Sequence, residues 1–255
     1  MDPSSIKVRD FIFPISLCRV SDSKQVEFVQ CLGTGFYIGR SGLALTAKHV
    51  VNIIYPDYNY GLVAMFVDDS NEWTSRNCHI IANHPTEDAT LLQIGNLTNI
   101  SFGLTPCFEP QFSGKDYSLF GYPYINFYED DSNMSHKGSI IGRPDMIFSK
   151  GYIRRRTSFK LPNIRGSELY ELSSPAGAGC SGSPIFNIIN KSWQAIGIYI
   201  ADKIQAIGFE HYDKDLNWSL QTIEFGGNLA YATRMDALAD WDIRSGLSFR
   251  DICGS

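Results

Sequence analysis

The chain is divided into short apolar or alternating segments by turn-forming residues along almost its whole length. Such segments are typical of β-strands, and the Gly, Pro, Asn and Asp residues between them are typical of turns. Very little of the sequence has the periodicity of an amphipathic helix. Many short strands at spacings of roughly 10–20 residues predict a barrel or a sandwich, and periodicity alone leaves both open. The predicted strands are Phe11–Val20, Phe28–Ile38, Leu43–Ala47, Gly61–Val67, His79–Ala82, Ala89–Ile94, Ser118–Phe120, Gly138–Ile141, Ser149–Ile153, Leu169–Leu172, Ser183–Asn187, Gln194–Ile200 and Leu229–Thr233.

Length and charge limit the number of domains and the class of partner. The 255 residues are enough for one large domain or two small ones, with ample material for a buried core. The formal net charge of −5 and the isoelectric point near 5.5 argue against nucleic acid as a partner. The sequence has no apolar run long enough for a membrane span and no secretory signal at its start, so we expect a cytoplasmic protein without a membrane partner.

The cysteines and histidines do not form a recognisable metal-binding pattern. The six cysteines are scattered without a CxxC pair, and the five histidines show no metal-ligand spacing. We therefore expect neither a metal nor an organic cofactor. Without an export signal the cysteines are expected to be free, buried thiols, and a disulfide between one pair stays open.

A serine stands inside a glycine-framed turn in the segment Ala178–Pro184. Gly179 and Gly182 allow the chain to fold tightly around Ser181, because glycine adopts backbone angles that other residues avoid. The Ser181 hydroxyl could then attack a carbonyl group, and the backbone N–H groups of Gly179 and Ser181 form the predicted oxyanion hole. Since many surface turns contain a similar string, the motif needs support from elsewhere in the chain.

Two upstream segments contain the partners that a nucleophilic serine needs. The segment Leu45–Val50 contains His49, whose imidazole titrates near neutral pH and is the predicted general base. The segment Glu87–Leu92 contains Asp88, which is predicted to hold His49 in the right tautomer and to stabilise the imidazolium.

The order His49, Asp88, Ser181 is that of the chymotrypsin-type triad, and the surrounding motifs resemble trypsin-like serine proteases. The pattern is most similar to the HtrA and glutamyl-endopeptidase branch, without a PDZ domain. The resemblance covers nearly the whole chain and includes several motifs in the family's order. These motifs are Gly33–Ile38, Gly42–Val51, Asp88–Ile94, Gly182–Asn187, Ile196–Ala201 and Asn228–Thr233.

The resemblance implies an all-β fold of two six-stranded antiparallel barrels of chymotrypsin type, with the active site between them. Residues 1–112 would form the first barrel with the histidine and the aspartate, and residues 113–255 the second barrel with the serine. A short C-terminal helix is expected over Met235–Trp241, which has helical propensity, and Phe249–Ser255 is interpreted as a tail.

Other carboxylates compete with Asp88 for the role of the triad acid. Glu87 is adjacent, and Asp68 and Asp69 lie on a neighbouring stretch. Asp88 is preferred because it directly precedes the apolar run Ala89–Ile94, as the family's aspartate does.

The family's primary specificity pocket can also be placed on this sequence. Its base lies six residues before the nucleophile, where this chain has Pro175 and not an aspartate, so cleavage after Arg or Lys is disfavoured. The walls are mostly apolar and favour small to medium apolar side chains at the cleaved residue (P1). Asp202, at the edge, is interpreted either as a solvated turn residue or as a group that attracts a cation. The predicted pocket residues are Pro175, Ala176, Tyr199, Ile200, Ala201 and Asp202.

Cys180 is a rival nucleophile, because cysteine variants of this fold exist. The family's frame requires a glycine directly after the nucleophile and another two residues before it. Ser181 has Gly182 and Gly179 in these positions, whereas Cys180 has Ser181 and Ala178. The frame therefore favours Ser181, and Cys180 is expected to lie buried under the oxyanion turn. Zymogen-activated relatives carry an aspartate at that position, so we expect control by a partner or an effector and not by zymogen cleavage.

The leading interpretation is an intracellular serine endopeptidase that acts on protein or peptide substrates, with a regulatory protein as a possible partner. A second interpretation is a protein-binding module that keeps the fold but is catalytically silent. A third, an esterase of the α/β-hydrolase type, needs the order Ser, Asp, His and parallel βαβ units, and this sequence has neither. Covalent labelling with a serine-reactive phosphonate separates the first two.

Overall fold

The computed structural model describes residues 7–20, 26–55, 59–67, 73–97, 100–123, 126–129, 140–143, 145–189, 192–212, 214, 218–244 and 246–254. Strands dominate this part of the chain, and its helices are short. The all-β fold predicted from the strand pattern is therefore confirmed.

The first set of strands forms a closed six-stranded antiparallel barrel. Its strands are β1 (Ile12–Val20), β2 (Val26–Tyr37), β3 (Leu43–Thr46), β4 (Tyr60–Val67), β5 (Trp73–Asn83) and β6 (Thr90–Ile94). They follow the order β1–β2–β3–β6–β5–β4 around the barrel. Side chains of these strands, including Phe13, Phe36 and Leu91, are completely buried and fill the interior.

The second set of strands forms a larger sheet. Its members are β7 (Thr105–Pro106), β8 (Asp116–Gly121), β11 (Ile147–Ser158), β12 (Glu168–Leu172), β13 (Pro184–Ile189), β14 (Ser192–Tyr212) and β15 (Trp218–Arg234), while β9 (Asn126–Glu129) and β10 (Ile140–Arg143) pair separately. The order is β13–β8–β11–β12–β15–β14–β7, and β13 also pairs with β14, so six strands are linked in a ring. The predicted boundary between residues 112 and 113 stays a prediction.

The hairpin of β14 and β15 is much longer than the sequence pattern predicts. That pattern gives two separate strands, Gln194–Ile200 and Leu229–Thr233, with a long polar loop between them. In the structure the strands remain paired as far as Tyr212 and Trp218. Exposed apolar residues such as Trp218 and Leu220 stand beside polar ones, because both faces of a projecting two-stranded ribbon can meet water.

The C-terminal helix exists, but its predicted position is wrong. Within Met235–Trp241 only Asp236–Leu238 form a single 3₁₀ turn. After it come strands β16 (Asp242–Arg244) and β17 (Leu247–Ser248), which pair with each other, and then helix α2 (Phe249–Gly254), in the segment interpreted as a tail. The start of α2 is fixed by Ser248 and Asp251, each of which accepts the backbone N–H of the other, as in a capping box.

One of two apolar clusters among the described residues connects the two sets of strands. Phe11 and Ile38, next to β1 and β2, belong to the same buried cluster as Leu238 and Phe249 near the C-terminus. All six cysteines are free thiols. Among the described residues, no helix is long and apolar enough to cross a membrane.

Candidate active site

His49 and Asp88 meet at the end of the β3–β6 pair. His49 lies on a single helical turn, α1 (Lys48–Val51), which begins just after β3, and Asp88 lies just before β6. The Nδ1 atom of His49 is 2.6 Å from Oδ2 of Asp88. The backbone N–H of His49 also donates to Oδ1 of the same carboxylate at 2.9 Å. These two contacts fix the imidazole and leave its Nε2 atom for another partner.

The Asp88 carboxyl group is almost completely removed from water, with 2% of its side chain exposed. Burial raises the pKa of Asp88 to about 7, although a backbone hydrogen bond at Lys48 and the charge of Lys48 act in the opposite direction. A buried carboxylate is costly unless hydrogen bonds satisfy it. The charged form of Asp88 therefore depends on the donors of His49.

Glu87 has different partners from its neighbour Asp88. Its carboxylate accepts the backbone N–H groups of Ser167 and Glu168 at 2.9 and 3.0 Å, where the connection from β11 ends and β12 begins. The structure therefore joins Asp88, and not Glu87, to His49. Asp68 and Asp69 lie outside the described residues.

His84 supports this acidic segment and was missed by the sequence analysis. Its Nδ1 atom accepts the backbone N–H of Glu87 at 2.9 Å, and its ring packs edge-on against Trp241 at 5.2 Å. Burial lowers the pKa of His84, so the ring remains neutral and can keep accepting the hydrogen bond. The only signal in the sequence for this contact is a histidine three residues before a glutamate, and that spacing is common.

The turn Gly179–Ser183 contains the candidate nucleophile Ser181 and is called the nucleophile turn; it has the geometry expected from its glycines. Gly179 has a φ of 92° and Gly182 a φ of 89°, both in the left-handed region that favours glycine. The Ser183 N–H donates to the Cys180 carbonyl at 3.0 Å and closes the turn around Ser181. Residues with a Cβ atom would be strained at both glycine positions.

The nucleophile turn lies directly against the barrel that carries His49. The Thr34 N–H in β2 donates to the Ser181 carbonyl at 2.8 Å. The Thr34 hydroxyl donates to the Gly179 carbonyl at 3.5 Å and accepts the Tyr122 N–H at 2.9 Å. A Cβ atom on Gly182 would lie only 3.2 Å from the backbone nitrogen of Ala47, two residues before His49. The glycine is therefore needed for this close approach as well as for its φ.

The Ser181 hydroxyl has a partner other than the histidine. It donates to the backbone carbonyl of Ile200 at 3.0 Å, and it makes no hydrogen bond to His49 within the described part of the chain. The backbone N–H groups of Gly179 and Ser181 likewise have no acceptor among the described residues. Two unpaired donors beside one hydroxyl are unusual in a folded protein and are available to an oxygen atom of a ligand.

Cys180 is completely buried beneath the turn. Its thiol donates to the Ala176 carbonyl at 3.3 Å, and burial raises its pKa to about 12. Because the thiolate is the reactive form of cysteine, Cys180 is a poor nucleophile in this place.

Comparison with known families identifies the chain. Its sequence matches the trypsin-like peptidase domain over residues 33–198, a span that contains His49, Asp88 and Ser181. The chain belongs to the trypsin-like peptidase family. Comparison with curated protein sequences gives no match.

Solved structures of three proteases share the fold of this trypsin-like peptidase. The HtrA-type protease AlgW with a decapeptide superposes with a TM-score of 0.56 at 13% identity, over 95% of this chain and 66% of that one. The MamO protease domain of Magnetospirillum magneticum gives 0.52 at 11% identity, over 90% and 94%. An inactive form of Rv3671c from M. tuberculosis H37Rv gives 0.52 at 15% identity, over 89% and 82%.

Three of the predicted pocket residues of this trypsin-like peptidase are bonded to one another. The Ala176 N–H donates to the Tyr199 hydroxyl at 2.8 Å and approaches Asp202 Oδ1 at 3.2 Å. The Tyr199 hydroxyl donates to Asp202, which also accepts the Gly177 N–H at 3.1 Å. Burial and the adjacent Asp202 raise the pKa of Tyr199, so the phenol stays a neutral donor. The sequence analysis named these residues but missed their mutual contacts.

The other predicted pocket residues have separate environments. Pro175 is exposed, and the Ile200 carbonyl accepts the Ser181 hydroxyl. Ala201 lines a cavity of about 450 Å³ that lies further along β14. In the part of the chain that the structure describes, no group of three or more His, Cys, Asp and Glu residues could hold a metal ion.

Proposed function

We propose that this trypsin-like peptidase is a serine endopeptidase that hydrolyses peptide bonds of protein substrates with His49, Asp88 and Ser181. The observation that carries the proposal is the 2.6 Å contact between His49 and Asp88 in a barrel that is hydrogen-bonded, through Thr34, to the turn of Ser181. In that turn the backbone N–H groups of Gly179 and Ser181 have no acceptor among the described residues. Family membership supports a peptidase, and the geometry supports these particular residues.

Each residue has one step in the proposed mechanism. The Ser181 Oγ atom attacks the substrate carbonyl carbon while its proton passes to Nε2 of His49. Asp88 accepts the Nδ1–H and stabilises the imidazolium, and the N–H groups of Gly179 and Ser181 stabilise the oxyanion. His49 then donates the proton to the leaving amine, which leaves an acyl-enzyme. A water molecule, deprotonated by His49, hydrolyses the ester and restores Ser181.

The resting contact of Ser181 must change before this reaction begins. Its hydroxyl has to leave the Ile200 carbonyl and turn toward Nε2 of His49, which is a change of side-chain rotamer. Substrate or a regulatory partner would favour the turned rotamer by occupying the neighbouring surface. This step is the proposed point of control, in place of zymogen cleavage.

Fluorophosphonate labelling tests the proposal. We expect the purified chain to be labelled at Ser181, as located by mass spectrometry, and Ser181→Ala to be unlabelled. Cys180→Ala is the control for the rival nucleophile and should keep the label. Labelling at Cys180, or labelling that survives in Ser181→Ala, would contradict the assignment of the nucleophile.

One observation favours a second function, a silent protein-binding module. A site without catalysis could keep the hydrogen bond from the Ser181 hydroxyl to the Ile200 carbonyl permanently. The folded chain would then resist the fluorophosphonate and hydrolyse no protein, while each triad substitution would leave its binding of protein partners unchanged.

A further inference from the structure

Hydrogen bonds next to Ser181 join the segment Pro175–Gly177 to the strand residues Tyr199–Asp202. Ala176 and Gly177 donate their backbone N–H groups to Tyr199 and Asp202. The Tyr199 side chain is 1% exposed and bridges the strand and the segment with its phenol group. The Tyr199 side chain therefore fills the gap between the segment Pro175–Gly177 and this strand.

This gap is where the side chain of a cleaved residue must go. Ile200, whose carbonyl contacts the Ser181 hydroxyl, directly follows Tyr199 in β14. Gly177 leads directly into the turn that carries the N–H donors of Gly179 and Ser181. A carbonyl held by these donors therefore places its own residue against the Tyr199 ring.

We propose that Tyr199 restricts the P1 residue to glycine, so that the chain cleaves proteins after glycine. The proposal rests on the proposed function and names the substrate class of the same site. A larger P1 side chain would need the space of the ring, and the ring is held by the buried cluster around Tyr117, Cys180 and Ile185. Displacing it would also break the bonds of Ala176 and Asp202, which would leave polar groups unpaired.

The same contacts remove Asp202 as a site for a cationic P1 side chain. Its carboxylate already accepts the Tyr199 hydroxyl and the backbone N–H groups of Ala176 and Gly177. A lysine or arginine at P1 would have to compete with all three donors and with the ring as well.

The affinity for a substrate must then come from substrate residues further from the cleaved bond. The cavity of about 450 Å³ lies beside Ala201–Ile204, and Leu161 and Ile164 line it together with that strand. An extended substrate that runs along Ala201–Ile204 would place a residue beyond P1 in this cavity, whose lining also includes Arg155 and Lys203. A side chain that contacts Leu161 and Ile164 there is the second feature expected in substrates.

The first experiment profiles the cleavage sites of the full chain. A proteome-derived peptide library is incubated with the protein, and the new termini are sequenced by mass spectrometry. Glycine should exceed Leu, Phe, Lys and Arg at P1 by about tenfold or more. In parallel, peptidyl phosphonate probes that differ only in having Gly or Phe at P1 are compared for labelling rate, which requires no variant.

A substitution with a smaller side chain tests whether Tyr199 causes the restriction to glycine at P1. Tyr199→Ala should admit Leu, Met and Phe at P1. Tyr37→Ala is the matched control, because Tyr37 is equally buried but lies in the first barrel. This variant should still cleave only after glycine. If Tyr199→Ala does not fold by circular dichroism, Tyr199→Leu replaces it and should admit alanine and serine.

The outcomes separate the two proposals. Efficient cleavage after large residues by the wild-type chain would overturn the glycine restriction and leave the endopeptidase proposal standing. A folded Tyr199 variant that still accepts only glycine would overturn the role of Tyr199. An absence of both cleavage and fluorophosphonate labelling would overturn both proposals.

Discussion

At the scale of single residues, Asp88 has the most demanding environment in the site. Its side chain is 2% exposed, and it takes two donors from one residue, His49. The burial that raises its pKa to about 7 makes the charge expensive for the fold. In the proposed mechanism the same charge is indispensable, so stability and catalysis make opposite demands on this carboxyl.

Asp88→Asn should separate these demands. Because the folded pKa is raised above the ordinary value of 3.8, the stability contributed by the neutral carboxyl is complete below that value and is lost as pH rises through about 7. The variant does not titrate, so its free energy of unfolding relative to wild type should rise by about 2–4 kcal/mol between pH 4 and pH 8. Urea denaturation at both pH values measures this change.

The same variant should lose fluorophosphonate reactivity by about 10³- to 10⁴-fold, because the His49 tautomer is no longer held. Wild-type labelling should also slow as pH falls below about 7, when Asp88 becomes protonated. Asp116→Asn, at an exposed position of β8, is the control and should change neither property. A variant that is less stable than wild type by the same amount at every pH would disprove the burial argument.

The residues of the site differ in how far the sequence could predict them. His49 and Ser181 stand in motifs whose local spacing carries the information. Asp88 was preferred to the adjacent Glu87 because it directly precedes the apolar run Ala89–Ile94, and the three-dimensional contacts show that the two carboxylates have different partners. The bonds of Tyr199 with Asp202 could not be foreseen, because register shifts between Tyr199 and Ala201 and between Asp202 and Ile204 change which way side chains point.

At the scale of elements, Glu87 connects the β5–β6 segment to the β11–β12 connection. It accepts the N–H groups of Ser167 and Glu168 and is 3% exposed. Gly166 has a φ of 81°, in the left-handed region that favours glycine, and a Cβ atom there would lie 2.5 Å from Oε2 of Glu87. The connection next to the cavity is thereby held to the segment that carries Asp88.

Glu87→Ala should destabilise the chain, because it leaves two backbone donors without an acceptor. We expect a loss of about 1–3 kcal/mol in the free energy of unfolding for each buried donor that water does not reach. Urea denaturation measures the loss, and Glu87→Gln, which keeps one carbonyl acceptor, should lose less. A Glu87→Ala variant as stable as the wild-type chain would show that the carboxylate does not hold the β11–β12 connection.

Element boundaries were predicted well where a short apolar run is buried almost continuously, as in β1 and β6. The β14–β15 extension was taken for a loop because Glu210, His211 and other polar residues interrupt the apolar pattern. A ribbon with water on both faces needs no such pattern, so its strands are specified by cross-strand pairing. The helix α2 was missed because its capping box involves only Ser248 and Asp251 over a very short segment.

At the scale of the whole molecule, Thr34 joins the barrel to the nucleophile turn. Its N–H donates to Ser181, its hydroxyl donates to Gly179 and accepts from Tyr122, and its carbonyl accepts the Thr46 hydroxyl at 2.7 Å. Every polar group of this one residue therefore serves the contact between the two sets of strands or the strand that leads to His49.

Thr34→Val should keep the shape of the side chain and remove only its hydroxyl. We expect a loss of about 1–3 kcal/mol in the free energy of unfolding, because the Tyr122 N–H is left unpaired. We also expect a slower fluorophosphonate reaction, because the Gly179 carbonyl loses the hydrogen bond from the Thr34 hydroxyl. Thr233→Val is the matched control, since the buried Thr233 hydroxyl has no partner in the described residues. An unchanged labelling rate in a stably folded Thr34→Val would argue against this support.

The contact between Thr34 and Ser181 also sets an order of events during synthesis. The strand that holds the nucleophile turn leaves the ribosome long before Ser181 does, and β15 follows later still. A partly made chain therefore has the base and its acid but no nucleophile held in place. If the proposed activity is correct, the nascent polypeptide is harmless to itself and to its neighbours until the turn of Ser181 has been translated and has docked onto the barrel.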